Sequence, residues 1–364
     1  ALAIGRRTAR GALSEWFWAD TRQQLPGLSL ALMALLLALS ANIGVGTMVG
    51  SFRTTFTGWL DQRLAAELYV TAETDAEAPA LRAFLDARAD AVLPIWNVEA
   101  RVLGAPAFLY GVADHPTYRE NWPLLDALPG VWDRVAEGRG VLVNEQLARR
   151  EGLAPGDTIP LPGGWTPQIA GIYSDYGNPT GQLMIGLAEF TQRFPEAERR
   201  QYGVRTTDPE GLTRALTQEF GLPPENLIDQ AELKRFSLQV FERTFAVTAA
   251  LNVLTLAIAG FAILTSLLTL AAMRQPQLAP VWALGLTRGR LARLEVVRAL
   301  ILAALTLIAA IPVGLLLAWV LLAVINVEAF GWRLPMRLFP LDWLWLGLLS
   351  ALAALLAALW PARR

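Results

Sequence analysis

Four stretches of this chain, 28–50, 244–273, 299–325 and 341–360, are almost purely apolar. Each has about the length a helix needs to cross a bilayer core of ~30 Å. Leu28–Gly50, Thr244–Met273, Ala299–Ile325 and Leu341–Trp360 hold no charged residue except Asp342, at the very edge of the last. Apolar residues make up 54% of the chain and mean hydropathy is +0.38. A soluble protein sits nearer 45–50% apolar. The excess lies in those stretches, while 70–228 reads as a water-soluble domain large enough to bury its own core.

Arginine placement orients the spans. Arg6, Arg7, Arg10 and Arg22 precede the first, and Arg274, Arg288, Arg290, Arg293 and Arg298 fill the loop between the second and third. Arg363 and Arg364 end the chain. These segments are therefore expected in the cytoplasm, with both termini there. Segment 51–243 and a short loop, 326–340, are expected on the opposite side. Trp16, Phe17, Trp18 and Leu25 among charges make 1–27 an interfacial amphipathic segment.

Two helices are expected to outrun the bilayer. Asp229-Gln-Ala-Glu232 has the form of a capping box, and no proline follows before Met273. A helix of about 45 residues is roughly 65–70 Å long, of which the bilayer absorbs about half. The first span likewise continues to residue 69 with Phe52, Phe56 and Leu60 at helical spacing. With Leu233, Phe236 and Val240 on the second helix they form the expected stalk.

Between the stalk helices, periodicity predicts a two-lobed α+β domain over 70–228. Extended segments are expected at Glu67–Glu73, Val92–Val102, Ala107–Val112, Gly140–Val143, Thr158–Leu161, Gln168–Tyr173, Gln182–Gly186, Val204–Thr206 and near Leu227. Helices are expected at Ala78–Arg88, Asn144–Glu151 and Glu210–Phe220. Trp122–Arg139, punctuated by Pro and Gly, reads as connection.

Several function classes fall away. A net charge of −1 gives no basic field for nucleic acid, and without cysteine there is no thiolate chemistry. His115, the only histidine, lies beside Pro116 in a polar turn. No HExxH, GxSxG or paired carboxylates organise the acids, and the Gly-rich Leu161–Gly164 lacks the Lys-Ser/Thr of a phosphate loop. The chain is not read as an enzyme, and no catalytic, metal or cofactor-binding residues are assigned. Transporters usually place ionisable groups inside the membrane, whereas these spans offer hydroxyl and amide side chains such as Ser40, Asn42, Asn252, Thr255, Thr265, Ser266 and Thr306. Such residues more often join helices, and Gly44, Gly46 and Gly50 would let another helix approach.

The loop after the second span is specific. It runs from Met273 through Arg274-Gln-Pro-Gln-Leu-Ala-Pro to Val281-Trp-Ala-Leu-Gly-Leu-Thr-Arg288, and then into a helix through Glu295 and Ala299. This resembles the loop of FtsX-like, MacB-type ABC permeases, where a short helix ends in Ala-Leu-Gly before an Arg-bearing helix enters the third span. One difference is Gln277, where the family loop commonly carries an acid. Gly140-Val-Leu-Val-Asn-Glu-Gln-Leu-Ala148, Gly156-Asp-Thr-Ile159 and Ile169-Ala-Gly-Ile-Tyr173 are similar to the MacB-type periplasmic core domain. Asn326–Trp332 resembles the matching loop in the C-terminal repeat of YbbP-like permeases, which would explain a chain starting at Ala1.

The resemblance implies a multi-pass α-helical protein of the bacterial inner membrane, with four transmembrane helices and the α+β domain between the first and second. It implies an ATPase-coupling helix at Val281, Trp282, Ala283, Leu284, Gly285, Leu286 and Arg288. ATP and Mg would be bound by a partner, a cytoplasmic ATPase dimer, and not by this chain. A second permease half, the lipid bilayer and an extracytoplasmic protein complete the expected partners. The implied activity is mechanotransmission, with export or extraction of a hydrophobic compound, lipoprotein or peptide. The alternatives are an FtsX-type regulator of a cell-wall hydrolase and a four-helix membrane sensor.

Overall fold

A computed structural model describes residues 11–176, 178, 180–274 and 287–362. They fall into two compact units. One comprises the described parts of Ala1–Phe52, Arg243–Val324 and Pro335–Arg364, the other Arg53–Glu242 and Ile325–Leu334.

The chain opens with helix α1, Ala12–Arg63, unbroken through Pro26. The amphipathic segment expected before the first span is, from Ala12 onward, continuous with it in one helix. Proline costs one backbone donor but leaves the helix able to continue. The helix stops at Arg63 rather than residue 69, because the Glu67 N–H donates to the Val204 carbonyl at 3.1 Å and the chain enters a sheet.

Within the second unit follow β1 (Leu68–Thr71), α2 (Ala78–Asp86), β2 (Ala91–Pro94), β3 (Trp96–Val102) and β4 (Ala105–Val112). Next come α3 (Pro116–Asn121), β5 (Leu124–Ala127), α4 (Val131–Ala136), β6 (Gly140–Asn144), α5 (Glu145–Glu151), β7 (Gln168–Tyr173) and β8 (Gly181–Gly186). The sequence continues through α6 (Leu187–Arg193), β9 (Gln201–Arg205), α7 (Pro209–Ala215) and β10 (Leu227–Asp229). Two sheets result, a four-stranded one in the order β10-β1-β9-β2 and a six-stranded one in the order β3-β4-β8-β6-β7-β5. The small sheet packs Leu68, Val70, Val204, Leu81 and Leu85. The large one packs Val141, Val143, Leu109, Leu183 and Phe190. Every residue of β6 and β8 is buried, as befits central strands covered on both faces.

Two expectations are corrected here. Trp122–Arg139 is not mere connection, since it contains β5, antiparallel to β7, and α4, which buries Trp132 and Val135. Gly130 at φ +68° starts α4, and Gly138 at φ +71° follows it. These glycines end elements rather than prevent them. Thr158–Leu161, expected as a strand, makes only single bridges, Thr158 to Gln168 and Leu161 to Trp165.

In the first unit, α8 (Gln230–Arg274) contributes its part from Arg243, and α9 spans Arg288–Val320. A π turn (Leu321–Ile325) leads into α10 (Asn326–Phe330), which belongs to the second unit, and α11 (Pro340–Ala362) of the first unit ends the described residues. Among the described residues three helices are long and apolar enough to cross a membrane, within Ser14–Arg63, Gly289–Phe330 and Pro340–Ala358. In α8 the described apolar stretch is shorter, Val253–Ser266.

Small residues let these helices meet. A Cβ on Gly44 would lie 2.7 Å from Leu317, one on Gly314 2.7 Å from Ile43, and one on Gly50 2.7 Å from Phe339. A Cβ on Gly46 would meet no described residue within 4 Å. Leu35, Leu39, Ile43, Ala303, Ala310 and Ala354 form the core of this unit. The Asn42 Nδ2 donates across to Thr255 Oγ1 at 3.0 Å, and Ser40 Oγ to the Ala310 carbonyl at 3.4 Å.

Candidate coupling site

Asn144 caps α5 and thereby presents the next two side chains. Its Oδ1 accepts from Leu147 N at 3.3 Å and Gln182 N at 3.0 Å, while its Nδ2 donates to the Thr180 carbonyl at 2.9 Å. Glu145 and Gln146 are left buried at the start of the helix, 3% and 4% exposed. Gln146 Nε2 donates to the carbonyls of Asp175 and of Asn178, the latter at 2.7 Å. The loop after β7 is thereby fixed from inside the domain.

The end of α1 lands on that same loop. Phe56, Trp59, Leu60 and Arg63 fall three to four residues apart, on one helical face. Trp59 Nε1 donates to the Ser174 carbonyl at 3.0 Å, its ring meets Tyr176 edge-on at 6.0 Å, and Phe56 stacks on it at 5.7 Å. Arg63 lies 4.6 Å over the Trp122 ring and 3.7 Å from the carboxylate of buried Asp175.

Segment 325–334 docks beside it. α10 ends at Gly331, whose φ of +75° turns the chain, and the Gly331 N–H donates to the Val327 carbonyl at 2.8 Å. Trp332 is carried inward to 3% exposure, 5.2 Å from the Tyr176 ring and 5.5 Å from Phe330. Asn326 Nδ2 donates to the Trp332 carbonyl at 2.7 Å. The Arg333 N–H donates to Glu145 Oε1 at 3.1 Å, and that oxygen also accepts from Arg149 Nε at 2.6 Å. A charged acceptor so buried makes these strong hydrogen bonds.

The beginning of α8 is tied to the small lobe. Asp229 Oδ1 accepts from Ala231 N at 2.6 Å and Glu232 N at 3.2 Å, satisfying two donors at the helix start. Gln230 N donates to the Glu67 carbonyl at 3.0 Å, its side chain reaches the Leu64 carbonyl, and Lys234 contacts Asp61. Glu67 in turn receives Arg205 through Nε at 2.9 Å and 3.1 Å.

The residues expected in the stalk therefore divide. Leu60 and Leu233 line one cavity, and Phe56 packs on Trp59. Phe236 and Val240 are instead 63% and 51% exposed. Phe52 belongs to the other unit. The cavity has a volume of about 440 Å³ and is walled by both sheets and the end of α1, with Tyr69, Tyr110 and Tyr118 among its aromatic residues. Burial pushes the Tyr69 hydroxyl up to about 12 and raises those of Tyr110 and Tyr118 as well. All three stay neutral at physiological pH.

Within the membrane unit, sequence reasoning missed one cluster. Arg298, expected as a loop cation, is 1% exposed. It reaches Asp20 Oδ2 at 2.5 Å, Thr21 Oγ1 at 3.0 Å and Glu295 Oε1 at 2.7 Å, with Phe17 under its guanidinium at 5.4 Å. The signal was an acid, Asp20, facing a run of arginines, but nothing local joins positions so far apart in sequence. The expected coupling residues Val281, Trp282, Ala283, Leu284, Gly285 and Leu286 lie outside the described residues, while Arg288 begins α9. Among the described residues no group of three or more His, Cys, Asp or Glu is placed to hold a metal ion.

Residues 28–218 match the family model of the MacB-like periplasmic core domain, and residues 249–364 that of the FtsX-like permease C-terminal region. An uncharacterized ABC transporter permease protein of Mycobacterium tuberculosis is 27% identical over 375 aligned positions, which cover 92% of this chain and 42% of that protein. The chain thus spans less than half the length of that relative. The periplasmic region of MacB from Actinobacillus actinomycetemcomitans is 14% identical, covering 47% of this chain and 94% of its own, with a TM-score of 0.34. The extracellular domain of the ABC-type transporter YknZ from Gram-positive bacteria is also 14% identical, over 45% and 98% of the two chains, with a TM-score of 0.31.

Proposed function

The chain belongs to the FtsX-like, MacB-type ABC transporter permease family, and on that premise we propose that it transmits ATP-driven movement of a cytoplasmic ATPase to its external domain. Membership of an ABC permease family implies an ATPase partner. One observation carries the mechanical part. The end of α1 and segment 325–334 are both held by the loop after β7 and by α5, through Trp59, Arg63, Trp332 and Arg333. Both α1 and the chain through α9 to α10 continue covalently into the membrane unit. A displacement of either helix along its axis then acts on the same short stretch, Ser174 to Tyr176.

In this reading the chain sits in the bacterial inner membrane with four spans, Leu28–Gly50, Thr244–Met273, Ala299–Ile325 and Leu341–Trp360, and with both termini in the cytoplasm. Three described helices with the required length and apolarity support it, as does the arginine bias. An ATPase dimer, which binds the ATP and Mg, docks through Val281–Leu286 and Arg288. A second permease half completes the assembly, in keeping with a relative more than twice as long as the matched stretch. The work done outside is export or extraction of a hydrophobic compound, lipoprotein or peptide, with an extracytoplasmic protein as acceptor.

The test is co-purification. The full chain in detergent is mixed with candidate ATPase subunits, before and after replacement of Val281–Leu286. Co-elution that depends on those residues supports the reading. If no ATPase associates, or if the replacement changes nothing, the permease reading fails.

A further inference from the structure

The cavity between the two sheets is lined by aromatic walls and by Arg63, which also anchors the end of α1. Its aromatic side comprises Trp59, Tyr69, Tyr110, Tyr118 and Trp122, with Met184 beside them. Arg63 is the one charged residue among those lining it. A concave, mostly apolar site of about 440 Å³ with a few convergent polar groups has the size and character of a small-molecule pocket. That size suits one aliphatic chain rather than the two chains of a phospholipid.

Arg63 remains to receive a ligand. Trp122 contributes its ring to the wall. Arg63 lies over the same ring at 4.6 Å, and its Asp175 contact at 3.7 Å is longer than a charge-assisted hydrogen bond. Asp175 also accepts from Asn178 Nδ2 at 3.1 Å. The guanidinium therefore keeps donors for a second acceptor, and no lining carboxylate would attract a cation. The three tyrosines stay un-ionised and would not repel an anion.

We propose that this cavity binds a single-chain amphiphile with an anionic head, a carboxylate or a phosphate, with the head at Arg63 and the chain along the aromatic wall. The proposal deepens the transport reading and rests on it only for what the ligand does there. Ile228, 43% exposed at the cavity, marks a rim position that a larger side chain would narrow without disturbing the core.

The full chain is reconstituted in nanodiscs of neutral phospholipid without any ATPase, and photolabelled with decanoate carrying a chain-end diazirine. Labelled residues are mapped by peptide mass spectrometry. Label is expected on peptides containing Tyr69, Tyr110 or Met184. Either decanoate or decyl phosphate should compete, which identifies the head group, and decyltrimethylammonium should not. Loss of a charge-assisted contact predicts about a tenfold drop in cavity labelling for Arg63→Gln, with partial recovery for Arg63→Lys. Ile228→Trp should lower labelling at an unchanged melting temperature, which keeps the proposal testable even if Arg63→Gln misfolds. Label confined to the membrane helices, labelling unchanged in both variants, or equal competition by the cation would overturn the proposal. Because no ATPase is present, failed ATPase association would sink the transport reading and leave this outcome intact.

Discussion

The Glu145 carboxylate holds the backbone N–H of Arg333 at 3.1 Å, and so fastens the segment after the third apolar stretch to the first turn of a helix in the external domain. Glu145 itself is fixed by Asn144, which caps that helix from a fully buried position.

Removing the acceptor leaves a buried N–H without its partner. Glu145→Ala is expected to lower stability by about 1–3 kcal/mol. Hydrogen exchange should show faster exchange at Arg333 and its neighbours, with the strands of the large sheet unaffected. Glu145→Gln, which retains an acceptor, should fall between.

Trp332 anchors the same segment by packing. Truncating a buried Trp typically costs roughly 3–5 kcal/mol. Trp332→Ala should therefore release 325–334 from the domain more completely than Glu145→Ala does. Limited proteolysis near Phe330 and Trp332 reads this directly, and Trp332→Phe should protect better than Ala.

Much of this was legible in sequence, and what was not has identifiable causes. The run Gly140–Val143 announced a strand, and all five residues of β6, Gly140–Asn144, are buried. The helix expected at Asn144–Glu151 forms at Glu145–Glu151, with Asn144 as its cap. Leu124–Ala127 and Val131–Ala136 were hidden by Pro123, Pro129 and Gly130, strong punctuation that here marks the ends of short elements. The outward course of Phe236 and Val240 could not be read from spacing alone, since a helical face does not say what covers it. The pairing of Arg298 with Asp20, and of Arg333 with Glu145, depends on which helices meet, and no local pattern records that.

Arg298 and Asp20 form a buried ion pair, with side chains 1% and 8% exposed. Removing one partner of such a pair typically costs about 3–5 kcal/mol, whereas replacing both by apolar residues is close to neutral. Arg298→Met should lower the unfolding temperature in detergent markedly. Adding Asp20→Leu should recover most of the loss, and a double-mutant cycle measures the coupling.

Tyr69 gives a pH signature. Burial raises its hydroxyl from 10.0 to about 12, so between those values the folded chain keeps a proton that the unfolded chain has lost. The stability tied to that proton is fully present below pH 10 and is lost as pH rises towards about 12. Alkaline titration followed by tyrosinate absorbance should show late ionisation in the folded protein. Tyr69→Phe should make the loss of stability above pH 10 shallower.

The most direct measurement is hydrogen exchange at 57–67 and 326–334 in the reconstituted complex with its ATPase, compared with and without ATP and vanadate. Transmission through α1 and α9 predicts that trapping the nucleotide state changes protection in both segments together, and that replacing Val281–Leu286 abolishes the change. Identical exchange in the two states, or a change that survives the replacement, would contradict it.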